Sequence, residues 1–265
     1  MTRRFPPQRI VCLSEETVET LYLLGQQDRI VGVTGYAIRP LRVRREKPRV
    51  GAFSSADVPK IAALDPDLVL TFSDIQGQIA ADLIRAGLAV HAFNQRDIAG
   101  ILAMIRYLGA LTGVPERAEA LVARYQARLD MLRATPRRYR PRVYFEEWDA
   151  PYLSAIGWVS ELIEIAGGQD VFAGLAGQQA AKDRVITDAQ VIAAAPEVIL
   201  GSWCGKKLRP EKIAARSGWD VIPAVRTGRI HEIKSPLILQ PGPAALTQGL
   251  DAVLAALWPG QGAKP

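Results

Sequence analysis

The chain is poor in the residues that build metal and redox chemistry. It holds two cysteines, Cys12 and Cys204, and two histidines, His91 and His231. Two cysteines make no disulfide framework, so they leave the redox compartment undecided. Cys12 lies in the apolar run 10–13 and reads as a small buried thiol. The two histidines fall in different halves, which disfavours a histidine-based metal site, and HEIKS at 231–235 lacks the second histidine of a zinc-protease helix. His91 falls in an expected strand and reads as structural; His231, at the end of another, is open to a surface or a cleft role. No apolar run approaches the ~18–20 residues of a membrane span. The opening MTRRFPP is basic but is not followed by an apolar stretch of about 7–15 residues. The chain as it stands is therefore expected in the cytoplasm, or in the periplasm had a leader been removed.

Catalytic signatures are scarce as well. No glycine-rich dinucleotide fingerprint follows a strand, and no serine-nucleophile elbow occurs. GSWCGKK at 201–207 has too few residues between its glycines for a phosphate loop, and Lys207 stands where Ser or Thr would hold magnesium.

What is present is an ordinary globular composition, 49% apolar and 23% charged over 265 residues. That is enough to build a core without a metal or disulfide staple, and long enough for two lobes. The net charge of +6 gathers mainly in 39–49 and 133–142. Both runs are broken by proline, neither is interleaved with aromatics, and neither sits in a nucleic-acid module. They read as solvated loops, with no nucleic-acid partner.

Short apolar runs alternate with helical patterns. Strands are expected at 9–13, 30–34, 68–72, 89–93, 142–145, 198–202 and 230–233, with helices at 16–24, 58–64, 75–86 and 98–111. Alternation of this kind predicts the α/β class, with parallel sheets covered by helices. The stretch 115–134 differs: TGVPE at 112–116 is a helix start, and Ala118, Leu121, Val122, Tyr125, Leu129 and Leu132 follow at helical spacing. A helix of ~20 residues spans ~30 Å, which suits a connection between lobes. The expected organisation is an N-terminal lobe over 1–112, a linking helix over 113–136 and a C-terminal lobe over 137–265. The halves also echo each other: VPKIAALDPDLVL at 58–70 parallels DAQVIAAAPEVIL at 188–200, with Pro66 matching Pro196.

Aromatics recur where the expected strands end: Phe53 and Phe72 in the first half, and Trp148, Tyr152 and Trp203, next to Cys204, in the second. In α/β sheets ligands collect beyond the carboxyl ends of strands, where flat rings give large apolar contact. Each ring taken singly is open to a core or a ligand role.

The motifs LSEETVE (13–19) with Leu24-Gly25, DRIVGVT (28–34), PRVGAFS (48–54), LDPDLVL (64–70), ELIEIAGGQDVF (161–172) and PAVRTGRI (223–230) keep an order and spacing. In this the chain resembles the cobalamin-binding, vitamin B12-binding protein-like members of the helical-backbone (class III) substrate-binding proteins of ABC importers, from about residue 9 to 258. The resemblance implies two Rossmann-like lobes joined by one long helix, a cobalamin ligand in the cleft between them, and no catalytic cofactor or metal. It implies ligand contacts at Tyr36, Phe53, Phe72 and Tyr152; Trp148, Trp203 and Cys204 join them on the strand-end argument alone. Such proteins are not enzymes, and a monomer is expected. Relatives that feed a permease present one glutamate on each lobe; here those positions are Pro59 and Ala189, with Asp57 and Asp188 nearby, which weakens docking to an ABC permease. The same fold serves ferric siderophores and haem. A third reading is a corrinoid-modifying enzyme using Cys204, Glu146 or Glu147.

Overall fold

The computed structural model describes residues 4–260. The strands are β1 Ile10–Cys12, β2 Ile30–Val33, β3 Leu68–Phe72, β4 Val90–Phe93, β5 Arg142–Glu146, β6 Trp148–Asp149, β7 Tyr152–Leu153, β8 Gln169–Asp170, β9 Val185–Ile186, β10 Val198–Gly201 and β11 Ile230–Glu232. The chain divides into two compact units. One comprises Met1–Gln95 and Ala99–Arg124, the other Arg96–Ile98 and Tyr125–Pro265.

The first unit is built on a parallel sheet in the order β2-β1-β3-β4. The second holds a parallel sheet in the order β11-β10-β5-β8. Read from the other edge, that is β8-β5-β10-β11, the same winding as the first: each unit's first strand sits beside its second and its third. Parallel strands need crossover connections, and helices supply them. The central strands are buried on both faces, which is why they read as continuous apolar runs and do not alternate. Val11, Leu13, Ile61, Val69 and Leu83 form the first core, and Tyr144, Val191, Ile199, Ile213 and Trp219 part of the second.

The sequence echo between the halves becomes matching local structure. Asp57 caps the helix Val58–Ala63 by accepting from the Lys60 amide at 3.0 Å. Thr187 caps Asp188–Ala194 within a capping box completed by Gln190. Each helix ends just before a residue with left-handed backbone, Asp65 at φ 45° and Ala195 at φ 43°, and a proline follows each. Proline cannot continue the helix, so the chain leaves it and enters β3 or β10.

The helix Pro115–Ala134 matches the expected linking helix. Its residues to Arg124 group with the first unit, and those from Tyr125 with the second. Its start packs against the helix Ile98–Thr112, where Gly109 leaves room for Ala118; a Cβ at Gly109 would collide with the Ala118 methyl. Arg106 and Glu119 pair across the same contact at 2.7 Å.

Several elements lie outside the expected strands and helices, among them β8 and the helices Gly157–Ile165 and Leu250–Leu257. β6, β7 and β9 form a small antiparallel sheet in the second unit, with Asp149 opposite Tyr152 and Tyr152 opposite Ile186. Two-residue strands carry no readable alternation. This sheet is nonetheless what presents Trp148 and Tyr152.

Candidate ligand-binding site

In the first unit, the candidate rings lie beyond the carboxyl ends of β2 and β3. Tyr36, in the loop after β2, is 52% exposed. Its loop is tied to the next by the Gly35 amide, which donates to the Gly51 carbonyl at 2.7 Å. Phe53 is half-buried in the tight turn that follows. That turn needs glycine at 51, since a Cβ there would collide with the Ser55 carbonyl oxygen. Phe72 closes β3 and is 5% exposed. The ring of Phe72, an expected ligand contact, is thus mostly buried.

The side chain that organises this face is Gln76, which no sequence motif singles out. Its Oε1 accepts from the Phe72 amide at 2.9 Å, and its Nε2 donates to the carbonyls of Leu13 at 2.9 Å and Phe53 at 2.8 Å. One buried amide therefore ties the ends of β1 and β3 to the Phe53 turn. Such a tie depends on three segments far apart in sequence, so no local motif announces it.

Two acids of the motif at 13–19 are also placed. Glu19 pairs with Arg39 at 2.8 Å. Glu16 is buried with neither carboxylate oxygen hydrogen-bonded. Burial raises its pKa to about 8. Cys12, at the end of β1, is likewise pushed up to about 12 by burial.

In the second unit the candidate residues sit beyond β5 and β10, around a buried ion pair. Glu146 ends β5 and is 0% exposed. It receives both Nη1 and Nη2 of Arg216, at 2.5 and 2.9 Å, together with the Trp203 indole N–H at 3.1 Å and the Tyr144 hydroxyl at 3.0 Å. The carboxylate is thus well supplied with donors, as a buried charge requires. Burial, followed by the charge and hydrogen bond of Glu146, pushes the Tyr144 hydroxyl well above its ordinary pKa and keeps it a donor. Burial works against the Arg216 charge, but the bonds to Glu146 outweigh it and raise its pKa. The Arg216 guanidinium lies 4.3 Å from the Tyr152 ring centroid and 4.5 Å from that of Trp219. Trp219 in turn donates to Asp188 at 2.6 Å.

This arrangement sorts the expected residues. Trp148 and Tyr152 are partly buried, and Cys204 is exposed. Trp203 is 3% exposed and part of the second core, and its indole N–H donates to Glu146. Glu147 grips the buried Arg184 at 2.6 and 3.1 Å. Both glutamates offered as enzymatic groups are therefore engaged in ion pairs. Asp57 and Asp188, near the vacated glutamate positions, cap a helix and hold Trp219 respectively. Pro59 and Ala189 are exposed. His91 stacks on Tyr107 with centroids 4.9 Å apart, and burial lowers its pKa. His231 pairs with Leu200 within the second sheet.

Two wound α/β units joined by a long helix, with aromatics beyond the strand ends, define a ligand-binding fold. Residues 10–237 match the periplasmic binding protein family, and the chain belongs to it. A cobalamin-binding protein of Halobacterium salinarum is 26% identical over 89% of this chain and 66% of its own length. The chain thus spans about two thirds of that relative. Among solved structures, the periplasmic haem-binding protein RhuT of Roseiflexus is 25% identical, with a TM-score of 0.79 over 94% of this chain and 99% of that one. The periplasmic vitamin B12 binding protein of Vibrio cholerae superposes with a TM-score of 0.74 at 22% identity, over 96% of this chain and 98% of that one. No helix of the described residues is long and apolar enough to cross a membrane.

Proposed function

We propose that this chain is a non-catalytic corrinoid-binding protein that holds a vitamin B12-type cobalamin against the aromatics at its strand ends. The observation that carries the reading is the second-unit platform, in which Tyr152 is stacked on a guanidinium that a buried carboxylate immobilises. A fixed ring presents apolar area at little entropic cost, which suits a large, rigid, flat ligand. Tyr36 and Phe53 supply accessible aromatic surface on the first unit. The name of the Halobacterium relative and the fold of the Vibrio protein support the corrinoid choice. With Pro59 and Ala189 in place of glutamates, and Asp57 and Asp188 otherwise occupied, the reading favours a delivery partner other than the usual importer permease, in uptake or intracellular handling.

Titration with cyanocobalamin by calorimetry, with co-elution of the red chromophore, is the test. Saturable binding with the ligand recovered chemically unchanged is expected. Absence of both heat and co-elution sinks the reading. The Roseiflexus likeness favours haem as the second reading, and a parallel titration with haemin ranks the two.

A further inference from the structure

The loop that leaves β10 carries three cationic side chains, with the Glu232 carboxylate accepting from its Leu208 amide at 3.0 Å. It turns at Gly205, with φ 71°, and presents Lys206, Lys207 and Arg209, all exposed. Lys206 is held in place: its ammonium lies 4.9 Å from the Trp203 ring centroid, 5.4 Å from that of Trp148, and 2.5 Å from the Asp149 carboxylate. That one carboxylate answers one cation. Lys207 and Arg209 have no acid partner among the described residues. The nearby Glu146 is already neutralised by Arg216. At the foot of the loop Ser202 is buried, and its hydroxyl has no hydrogen-bond partner. The Lys206 ammonium therefore stands against Trp148, a ring of the candidate ligand face, with Lys207 next to it in the chain.

An ammonium fixed beside an aromatic wall suits a ligand that joins a flat body to an oxyanion: the ring takes the body and the ammonium takes the charge. We propose that Lys206 and Lys207 form an anion subsite that recognises an oxyanion carried by the bound ligand, which in a cobalamin is the phosphodiester of the nucleotide loop. The identity of that oxyanion rests on the corrinoid reading; the subsite itself does not. In haem the same chemistry would fall to the propionate carboxylates.

The test compares cyanocobalamin with cobinamide, which lacks the nucleotide and its phosphodiester, on the full chain. Cobalamin is expected to bind about tenfold more tightly than cobinamide, the worth of one charge-assisted contact. Added salt narrows that gap. Lys206→Gln with Lys207→Gln closes it, and Lys206→Arg with Lys207→Arg keeps it. Equal affinities in the wild type, or a gap that survives in the glutamine variant, overturn the subsite while leaving corrinoid binding standing. If the wild type binds neither corrinoid, the corrinoid reading falls and haemin decides the subsite. An approximately tenfold loss of haemin affinity in the glutamine variant supports it, and no haemin binding or no loss overturns it. Both lysines are exposed, so a circular-dichroism melt of each variant is expected to match the wild type.

Discussion

Arg216 donates two hydrogen bonds to Glu146, one to each carboxylate oxygen, across a separation of 70 residues in sequence. The pair sits under the Tyr152 ring, so the stability of the second unit and the shape of the proposed ligand face share one interaction.

Removing one partner strands the other as a buried charge. Arg216→Met is expected to destabilise the protein by about 3–5 kcal/mol in urea unfolding, whereas Glu146→Leu with Arg216→Met recovers a large part of that loss. The double variant should fold but bind the ligand more weakly, because nothing then fixes Tyr152. A double variant as unstable as the single one would show that the charge is not what the fold depends on.

Glu16 sets a pH dependence. Its pKa rises from an ordinary 4.5 to about 8 in the fold, so the folded chain binds this proton more tightly than the unfolded chain. The stability linked to it is complete below about pH 4.5 and is lost as pH climbs to about 8. Glu16→Gln, which is neutral throughout, is expected to gain on the wild type by roughly 1.4 kcal/mol for each pH unit crossed in that window. Denaturation curves from pH 5 to 8.5 check this, and parallel curves for the two proteins would refute it.

The two cysteines should separate cleanly by reactivity. Burial holds the Cys12 thiol at about 12, while Cys204 is exposed. Iodoacetamide at neutral pH is expected to label Cys204 alone in the folded protein and both residues in urea. Peptide mass spectrometry reads the result.

Gln76 offers a test of the first unit. Gln76→Glu turns a donor that faces the Leu13 and Phe53 carbonyls into an acceptor. Unsatisfied buried polar groups cost about 1–3 kcal/mol each, so this near-isosteric change should destabilise more than Gln76→Leu. It should also weaken the ligand, through a loosened Phe53 turn. Urea unfolding and a cyanocobalamin titration measure the two effects separately.

Local chemistry made much of the architecture legible. The apolar runs of β1, β3, β5 and β10 mark buried parallel strands because both of their faces are covered. Pro115, Glu116 and the spacing of Ala118, Leu121, Val122, Tyr125 and Leu129 wrote the long helix in full, since capping and helical periodicity are local properties. The match of Pro66 to Pro196 foretold a shared winding, and the left-handed residues Asp65 and Ala195 give it a structural basis.

The site divides differently. Whereas Tyr36 came only from the family resemblance, that Phe53, Trp148 and Tyr152 lie beyond strand ends followed from the order of residues along the chain. Which rings face solvent did not. Phe72 and Trp203 also follow strands, yet packing from distant segments buried them. Gln76, Arg216 and Trp219 became central only through partners 31 to 70 residues away for the latter two, and up to 63 for the first. By itself the sequence determined the main strands of the two parallel sheets, the long helix, the repeated winding and the strand ends where a ligand face could form, because those depend on neighbours along the chain. Only the tertiary structure decided which side chains hold that face rigid and which remain exposed on it, because hydrogen bonding and burial there depend on residues brought together by folding.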